Sequence, residues 1–284
     1  MPHIYLGRSA NGIDWVIDPE KIPFVDENGR PFMPLYAYDP RLVRVEDVYY
    51  IIWCTDFYGA AIGMKEIGGI IVPILTPMNE DESVNLDALR VQIDRMIDAG
   101  VHGIFCFGTN GEGYILTDEE KEAVLEATVE QVNGRVPVYA GTGCVSTAAT
   151  IRMSQRAKAI GADALSVITP WFAAASQTDL YEHYRAVAQA VDLPMILYNI
   201  PARTGNALAP ATVEKLAQMD TIVGVKDSSG NFDNMLQYIE KTRDVPGFRV
   251  LSGNDSLILW NLLAGGSGAV AGCANVFPHN MCFI

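Results

Sequence analysis

Residues 69–106 read GIIVPILTPMNEDESVNLDALRVQIDRMIDAGVHGIFC, a stretch that predicts a strand, a helix and a second strand. The apolar run from Ile70 (IIVPIL) has the length of a buried strand, and a second run begins at Gly103 (GIFCF). Between them lie apolar residues at helical spacing, and Gly100 ends this helix: Leu86, Leu89, Ile93, Met96 and Ile97. Two strands joined through a helix are predicted to be parallel.

The same unit recurs along the rest of the chain. A capping pattern at Thr117–Glu120 opens the second helix, which stops at Gly134, and the third helix stops at Gly161. Eight strand signals therefore alternate with seven helices, which predicts an α/β fold of the (β/α)8 TIM barrel type. The strand signals begin near Ile70, Gly103, Val136, Ala164, Met195, Thr221, Arg249 and Gly268.

The eighth unit differs from the other seven. Residues 273–284 (CANVFPHNMCFI) follow the last strand signal, contain Pro278 and are too few for a helix of the usual ~10–14 residues. The barrel segment is also shorter than the ~250 residues typical of this fold. The sequence predicts an incomplete outer ring of helices that leaves apolar surface uncovered.

Residues 1–64 follow another pattern. Short aromatic and β-branched runs, GIDWVI (12–17) and DVYYIIWC (47–54), are broken by Pro and Gly, which is typical of β-hairpins. We therefore predict two domains, a β-rich segment over residues 1–64 and the barrel over residues 65–284.

Composition excludes several classes of function. The chain is 49% hydrophobic and 19% charged, as in a soluble globular protein, and its net charge of −14 argues against nucleic-acid or anionic-membrane binding. Neither a signal peptide nor a membrane-spanning run is evident, which predicts a cytoplasmic protein. The five cysteines form no C-x-x-C pair and the four histidines are scattered, so neither a metal nor another cofactor is predicted.

A lysine marks the end of the sixth barrel strand. In TIVGVKDSSG (221–230), Lys226 follows an apolar run and is the one lysine of seven that terminates a predicted barrel strand. Burial lowers the pKa of an ammonium, and a neutral amine can attack a ketone to form a Schiff base. The alternative is an ion pair with a carboxylate at the barrel rim, which position alone does not exclude.

Two further strand ends carry polar groups, and TIM-barrel chemistry is located at this end of the strands. The turn FGTNGEG (107–113) offers backbone N–H groups and the Thr109 hydroxyl to a carboxylate, although an ordinary turn carries the same glycines. LYNIPARTG (197–205) puts Tyr198 at the mouth of the barrel, which is the end where the strands have their C-termini, and Arg203 in the loop above Tyr198. Tyr198 can relay protons and Arg203 can bind a carboxylate, although each is also common as a packing or solvated residue.

The barrel segment resembles the dihydrodipicolinate synthase and N-acetylneuraminate lyase family of pyruvate-dependent Schiff-base lyases. The resemblance rests on motifs in the family's order: VPILTPMNEDESVNLDAL, GTNGEG, LYNIPARTG, GVKDSSGN, LSGND and GAVAGCANVFP. It implies a homo-oligomer that uses no cofactor and acts on pyruvate and an aldehyde.

The resemblance also implies the roles of single residues. Lys226 corresponds to the imine-forming lysine, and Tyr198 and Thr109 to the proton carriers. Asn110, with Thr109, matches the turn that holds the pyruvate carboxylate, and Gly253 and Val270 match residues that line the same pocket. Arg203 matches the arginine that binds the aldehyde partner in the synthase branch, which favours a 4-hydroxy-tetrahydrodipicolinate synthase-like enzyme of lysine biosynthesis.

Three departures qualify this interpretation. Phe172 stands in TPWFAAAS where many members have a tyrosine that completes a proton relay across a subunit contact. Asn110 replaces a usual second hydroxyl and is seen in hydroxy-oxoglutarate aldolase relatives. Family members also continue past the eighth strand into a helical tail that this sequence lacks.

Other functions stay open. One is another pyruvate aldolase, of the hydroxy-oxoglutarate or keto-deoxy sugar acid type. Another is a catalytically impaired composite protein, because residues 1–64 resemble a fragment of a five-bladed mannoside phosphorylase, and one or two blades cannot form a propeller site. A dinucleotide site at YAGTGCVSTA (139–148) is disfavoured because the third glycine of the fingerprint is missing.

Overall fold

The computed structural model describes residues 5–8, 16–21, 38–45, 48–54 and 67–283. Contacts between residues divide the chain into two units, Met1–Met64 and Lys65–Ile284. The first unit contains two antiparallel hairpins, in which β1 (Tyr5–Arg8) pairs with β2 (Val16–Lys21) and β3 (Tyr38–Val45) pairs with β4 (Val48–Cys54). The predicted strand at 47–54 coincides with β4, whereas the run at 12–17 is a described strand only from Val16. That this unit is a phosphorylase fragment stays a prediction.

The second unit is a closed barrel of eight parallel strands, so the predicted TIM barrel is confirmed. Each strand pairs with the next in sequence, and the last pairs with the first. Every strand begins within two residues of its predicted start. The strands are β5 (Gly69–Pro73), β6 (Gly103–Cys106), β7 (Val138–Gly141), β8 (Ala164–Ile168), β9 (Met195–Asn199), β10 (Ile222–Asp227), β11 (Arg249–Ser252) and β12 (Gly268–Val270).

Helices follow the strands and surround the barrel. The predicted capping box is present, with Thr117 and Glu120 each bonding the other's backbone N–H, and the third helix ends at Gly161, whose φ of +112° suits a residue without Cβ. The link between β9 and β10 holds two short helices instead of one long one. The helices are α1 (Leu86–Asp98), α2 (Asp118–Val132), α3 (Thr147–Ile160), α4 (Gln177–Ala190), α5 (Pro201–Thr204), α6 (Pro210–Leu216), α7 (Phe232–Thr242), α8 (Ile258–Leu263) and α9 (Pro278–Cys282).

Alternation along the strands separates two apolar cores. On β9, Met195 and Leu197 join the core between strands and helices, whereas Ile196 joins a second core inside the barrel. Because side chains alternate between the faces of a strand, Tyr198 shares the inner face with Ile196. The second core is the floor of the barrel interior: Ile71, Phe105, Tyr139, Ala164, Ile196, Leu251 and Val270.

The helical ring is thin after β12, as the sequence predicted, and it is also thin after β11. Helix α8 has six residues and α9 has five, against 13 to 15 in α1 to α4. Large apolar side chains are exposed here, including Trp260 (55%), Leu263 (71%) and Phe277 (60%). The stretch 256–284, to which these residues belong, contains no Asp, Glu, Lys or Arg. Within the part of the chain that the structure describes, no helix is long and apolar enough to cross a membrane.

Candidate active site at the mouth of the barrel

Lys226 is buried inside the mouth of the barrel. It is the penultimate residue of β10, only 4% exposed, and it faces inward because its neighbour Val225 belongs to the outer core. Its Nζ lies 5.2 Å from the centre of the Phe105 ring and 3.8 Å from the centre of the Tyr198 ring. Burial lowers the pKa of the Lys226 amine, because the charged form loses its hydration there.

The alternative of a structural ion pair at the rim receives no support. Within residues 67–283, no carboxylate lies within 4.0 Å of Lys226 Nζ. The adjacent Asp227 faces away and is already satisfied, since it accepts hydrogen bonds from Asn199 Nδ2 (2.8 Å) and from the N–H and hydroxyl of Ser229 (3.1 and 2.9 Å). The Tyr198 phenol and, less strongly, the charge of Asp255 oppose the fall in the Lys226 pKa without cancelling it.

Tyr198 stands directly beside the lysine on the next strand. The two residues are partners in the register of β9 and β10, and the Tyr198 hydroxyl lies 3.2 Å from Thr109 Oγ1. Burial by itself raises the pKa of this phenol, but the Lys226 charge and hydrogen bonds from neighbouring side chains outweigh burial and lower it. Lys226, Tyr198 and Thr109 thus form one polar cluster above an apolar floor.

The turn after β6 brings unpaired backbone donors to the same cluster. Within residues 67–283, neither the Thr109 nor the Asn110 N–H donates a hydrogen bond to the protein. The turn is packed tightly, because a Cβ on Gly111 would stand 2.6 Å from Ile74 O, and Thr76 Oγ1 donates to Gly111 O (2.7 Å). A rigid turn with free N–H groups is suited to bind a carboxylate.

Gly253 and Val270, the two predicted lining residues, occupy different positions. A Cβ on Gly253 would stand 2.9 Å from Lys226 Cε, so this glycine lies directly against the lysine side chain. Val270, 5% exposed, belongs to the floor and pairs in register with Ile71. Both residues border the interior that Lys226 enters.

Arg203 follows the same strand as Tyr198 and is exposed to solvent. It is exposed on α5, the single helical turn that follows β9, and within residues 67–283 its guanidinium makes no hydrogen bond or ion pair. The structure therefore brings together Lys226, Tyr198 and Thr109, with Asn110 in the adjoining turn, and leaves the arginine free in solvent.

Phe172 stands where the resemblance implies a relay tyrosine. It is 97% exposed in the loop after β8, and its φ of +78° is unusual for a bulky residue. No hydroxyl is available at this position.

Two residues near the lysine were missed by the sequence analysis. The Ser228 hydroxyl packs against Gly253, beside the Lys226 side chain. Asp255 accepts hydrogen bonds from the N–H groups of Gly272 (3.0 Å) and Cys273 (2.8 Å), which joins the ends of β11 and β12. Ser228 could have been found from the two-residue period of β10, since it is two positions after Lys226. The contacts of Asp255 depend on loop conformation, which has no comparable periodicity in the sequence.

The cluster has the parts that imine chemistry requires. A desolvated amine can act as a nucleophile, a phenol beside a hydroxyl group can move protons, and free N–H groups can hold an anion. Within residues 67–283, no group of three or more His, Cys, Asp or Glu side chains is arranged to hold a metal ion.

Comparisons with known proteins agree with this geometry. The model of the dihydrodipicolinate synthetase family matches residues 66–284. A 4-hydroxy-tetrahydrodipicolinate synthase from Methylococcus capsulatus is 42% identical over 215 residues, which cover 76% of this chain and 73% of the relative. The dihydrodipicolinate synthase of Aquifex aeolicus superposes with a TM-score of 0.74 at 38% identity, covering 76% of this chain and 73% of that one. The chloride-inhibited Acinetobacter baumannii enzyme, solved with pyruvate, gives 0.74 at 37% identity, with 76% and 74% coverage.

Proposed function

The chain belongs to the dihydrodipicolinate synthetase family of lyases, and we propose that it condenses pyruvate with an aldehyde through a Schiff base on Lys226. The observation that carries this proposal is the burial of the Lys226 amine, which has no ion pair within residues 67–283 and lies 3.8 Å from the centre of the Tyr198 ring. The bound pyruvate of the Acinetobacter baumannii relative supports the choice of the keto acid.

In the first half of the reaction, Lys226 forms the imine. The free N–H groups of Thr109 and Asn110 bind the pyruvate carboxylate, and the Lys226 lone pair attacks the ketone carbon. Tyr198 protonates the former carbonyl oxygen, which leaves as water when the C=N bond forms. The protonated imine withdraws electrons from the adjacent methyl group.

In the second half, the carbon–carbon bond forms. Loss of a methyl proton to the Tyr198 phenolate gives an enamine, whose carbon attacks the aldehyde carbon. Tyr198 returns the proton to the new alkoxide, and water hydrolyses the imine to release the product and free Lys226. Because the phenol must give and take protons, a pKa below the ordinary tyrosine value assists both steps.

The aldehyde is the less defined substrate. Arg203 is free in solvent at the mouth end of β9 and could bind an aldehyde that carries a carboxylate, as in the synthase branch. Asn110 and Phe172 favour the second candidate, a hydroxy-oxoglutarate or keto-deoxy sugar acid type of aldolase. Gly253, which touches the lysine, and Val270 of the floor are assigned to the walls of the pyruvate pocket.

We further propose that the active form is a homo-oligomer in the cytoplasm, as the sequence analysis predicted. Support for self-association comes from Phe172, an almost fully exposed aromatic residue on the loop after β8. Sedimentation velocity over a range of protein concentrations tests this, and a monomer at all concentrations would contradict it.

Pyruvate consumption tests the proposed function. The purified chain is incubated with pyruvate and, in parallel, with aspartate semialdehyde, glyoxylate or glyceraldehyde. We expect consumption with at least one aldehyde, its loss in Lys226→Arg, and its retention in Lys215→Arg, a matched change at the end of α6. The preferred aldehyde distinguishes the synthase from the two aldolase types, and the absence of consumption with every aldehyde would overturn the proposal.

A further inference from the structure

Lys226 and Tyr198 each stand one residue before the end of their strand. β10 ends at Asp227 and β9 at Asn199, and these two residues are register partners as well. After a further hydrogen bond from the Ser228 N–H to Asn199 O (2.8 Å), β10 continues into a loop, whereas β9 continues into α5. The ends of an element open more readily than its centre. The relative position of the amine and the phenol therefore depends on how this end of the ladder is closed.

A side-chain bridge closes the ladder at its last residues. Asn199 Nδ2 donates to Asp227 Oδ1 (2.8 Å), and the two residues are only 1% and 0% exposed. Because side chains alternate along a strand, both lie on the outer face, opposite to the face that Tyr198 and Lys226 occupy. The bridge thus joins β9 to β10 directly behind the reactive pair.

Both members of the bridge are themselves anchored. Asp227 also accepts from the N–H (3.1 Å) and the hydroxyl (2.9 Å) of Ser229, and its backbone O accepts from the N–H of Gly253 after β11 (2.8 Å). Asn199 Oδ1 accepts from the N–H of Leu208 (3.0 Å), which closes the segment between β9 and α6. These bonds fix the orientation of both side chains, so the bridge holds the two strand ends at one separation.

A carboxyl group on this face is costly to bury. Two residues earlier on the same faces, Val225 and Leu197 pack into the outer core as apolar side chains. Asp227 is instead fully buried and, within residues 67–283, has no cation within 4.0 Å of its carboxyl oxygens. Burial of such a group costs free energy that apolar side chains do not lose. A fixed strand separation is what the hydrogen-bonded pair provides and an apolar pair does not.

We propose that Asn199 and Asp227 are positioning residues, whose bridge keeps the ends of β9 and β10 closed and so holds the phenol of Tyr198 beside the reactive amine. The distance that the bridge maintains is the 3.8 Å between Lys226 Nζ and the centre of the Tyr198 ring. The inference rests on the proposed function for its kinetic consequence, whereas its structural consequence can be measured without turnover.

Two substitutions at one position separate geometry from charge, and a third is a matched control. Asp227→Ala removes the bridge, whereas Asp227→Asn removes the charge and keeps an oxygen that can accept from Asn199. The control is the buried Asn261 of α8, whose Nδ2 donates to Val250 O (3.1 Å) and Gly268 O (2.9 Å). Asn261→Ala therefore removes a comparable bridge, between β11 and β12 at their N-terminal ends.

The first readout is kcat per folded molecule, measured well below the denaturation midpoint. Asp227→Ala should lower kcat about 10- to 100-fold, because small displacements of reacting groups have effects of this size, and should leave KM for pyruvate within about threefold. Asp227→Asn should restore kcat to within about threefold of the wild type. Asn261→Ala should lower the urea midpoint and leave kcat unchanged. Equal losses of kcat in Asp227→Ala and Asp227→Asn, or in Asp227→Ala and Asn261→Ala, would overturn the proposal.

A double-mutant cycle tests whether the bridge acts through the phenol. In Tyr198→Phe the group that the bridge holds is gone, so Asp227→Ala should lower kcat by a clearly smaller factor there than in the wild type. The same factor in both backgrounds would contradict the proposal. If Asp227→Ala does not fold, Ser229→Ala takes its place, since it removes one hydrogen bond from the carboxyl group and leaves the bridge. Its loss of kcat should be about two- to fivefold, and no loss would contradict the proposal.

The second readout needs no turnover. The ζ-carbon of Tyr198, labelled with 13C and assigned by its absence in Tyr198→Phe, reports the ionisation of the phenol by NMR. The present surroundings lower the pKa of Tyr198, so displacement should return its titration toward the ordinary value, at higher pH. We expect this shift in Asp227→Ala and not in Asp227→Asn or Asn261→Ala. If the wild type consumes no pyruvate while the shift is present, the proposed function fails and the positioning role stands. If the shift is absent, the positioning role is wrong whatever the activity.

Discussion

Two tyrosines on inner faces of the same barrel have opposite properties. Tyr139 on β7 belongs to the apolar floor, its hydroxyl has no hydrogen-bond partner within residues 67–283, and burial raises the pKa of its phenol. Tyr198 on β9 is almost equally buried, yet its hydroxyl lies 3.2 Å from Thr109 Oγ1 and the charge of the adjacent Lys226 helps to lower its pKa. Burial is therefore not what separates a structural from a reactive tyrosine in this molecule. The partners at the mouth make the difference.

The same comparison explains the lysine. The floor keeps water away from Lys226 and so favours the neutral amine, while the mouth supplies the groups that handle protons. The substitutions below test whether the floor contributes to stability and to burial of Lys226, and whether the mouth contributes the proton transfers.

The largest effect is expected for Tyr198→Phe. Loss of the phenol removes the proton carrier, and general acid–base catalysis typically contributes about 10²- to 10⁴-fold, so kcat should fall by that factor. Steady-state pyruvate consumption measures it. The matched change Tyr139→Phe should leave kcat within about twofold, and equal losses in the two variants would show that the distinction between floor and mouth is wrong.

A change in the floor should act on stability and leave the site of reaction unaltered. Ile196→Ala creates a cavity inside the barrel at a residue that is 2% exposed, which costs about 2–5 kcal/mol of the free energy of unfolding. Urea denaturation measures this cost. The control Leu263→Ala, at a residue 71% exposed on α8, should stay within about 0.5 kcal/mol. A stable Ile196→Ala variant would mean that the floor is not packed as described.

Burial of Lys226 should make stability depend on pH. The pKa of Lys226 is lower in the folded chain than the ~10.4 of an unfolded one, so between the two values the unfolded state binds the extra proton. Stability is therefore lost as pH falls through this window, by about 1.4 kcal/mol for each unit of pKa difference. Lys226→Met carries no such proton. Its advantage in unfolding free energy over the wild type should be greatest near neutral pH and shrink as pH approaches 10, and an advantage independent of pH would contradict this account.

The smallest effect is expected for the stability of Tyr139→Phe. Its hydroxyl is buried without a partner among the described residues, so removing it relieves an unsatisfied polar group. The free energy of unfolding should stay the same or rise by up to about 1 kcal/mol. A clear loss of stability in urea titration would show that this hydroxyl has a hydrogen-bond partner in the folded chain.

Most of the fold could be predicted from the sequence because it depends on local patterns. The apolar runs and the glycines at 100, 134 and 161 fixed the strand order and the helix ends. Lys226 and Tyr198 were placed at the mouth by their positions at strand ends. In the closed barrel, Lys226 and Tyr198 are register partners on adjacent strands. The periodicity of a single strand cannot predict this pairing, because it depends on the strand order.

The contacts that tune the site could not be read in this way. Ser228 and Gly253 meet across two strand ends, and the distance between them depends on the stagger of β10 against β11. Asp255 accepts a hydrogen bond from the N–H group of Gly272, 17 residues later, and no local sequence pattern predicts this contact. Arg203, expected in the loop above Tyr198, lies exposed on the helical turn that begins at Pro201, and its role in binding the aldehyde stays a prediction.

Reductive trapping with borohydride tests whether the Lys226 amine forms an imine with pyruvate. The chain is incubated with pyruvate and sodium borohydride, digested, and its peptides are mapped by mass spectrometry, with Lys215→Arg as the control and Tyr198→Phe as a slower but competent variant. We expect one modified peptide, with the reduced pyruvate adduct on the Lys226 amine. Absence of an adduct, or an adduct on the surface lysines in proportion to their exposure, would contradict it.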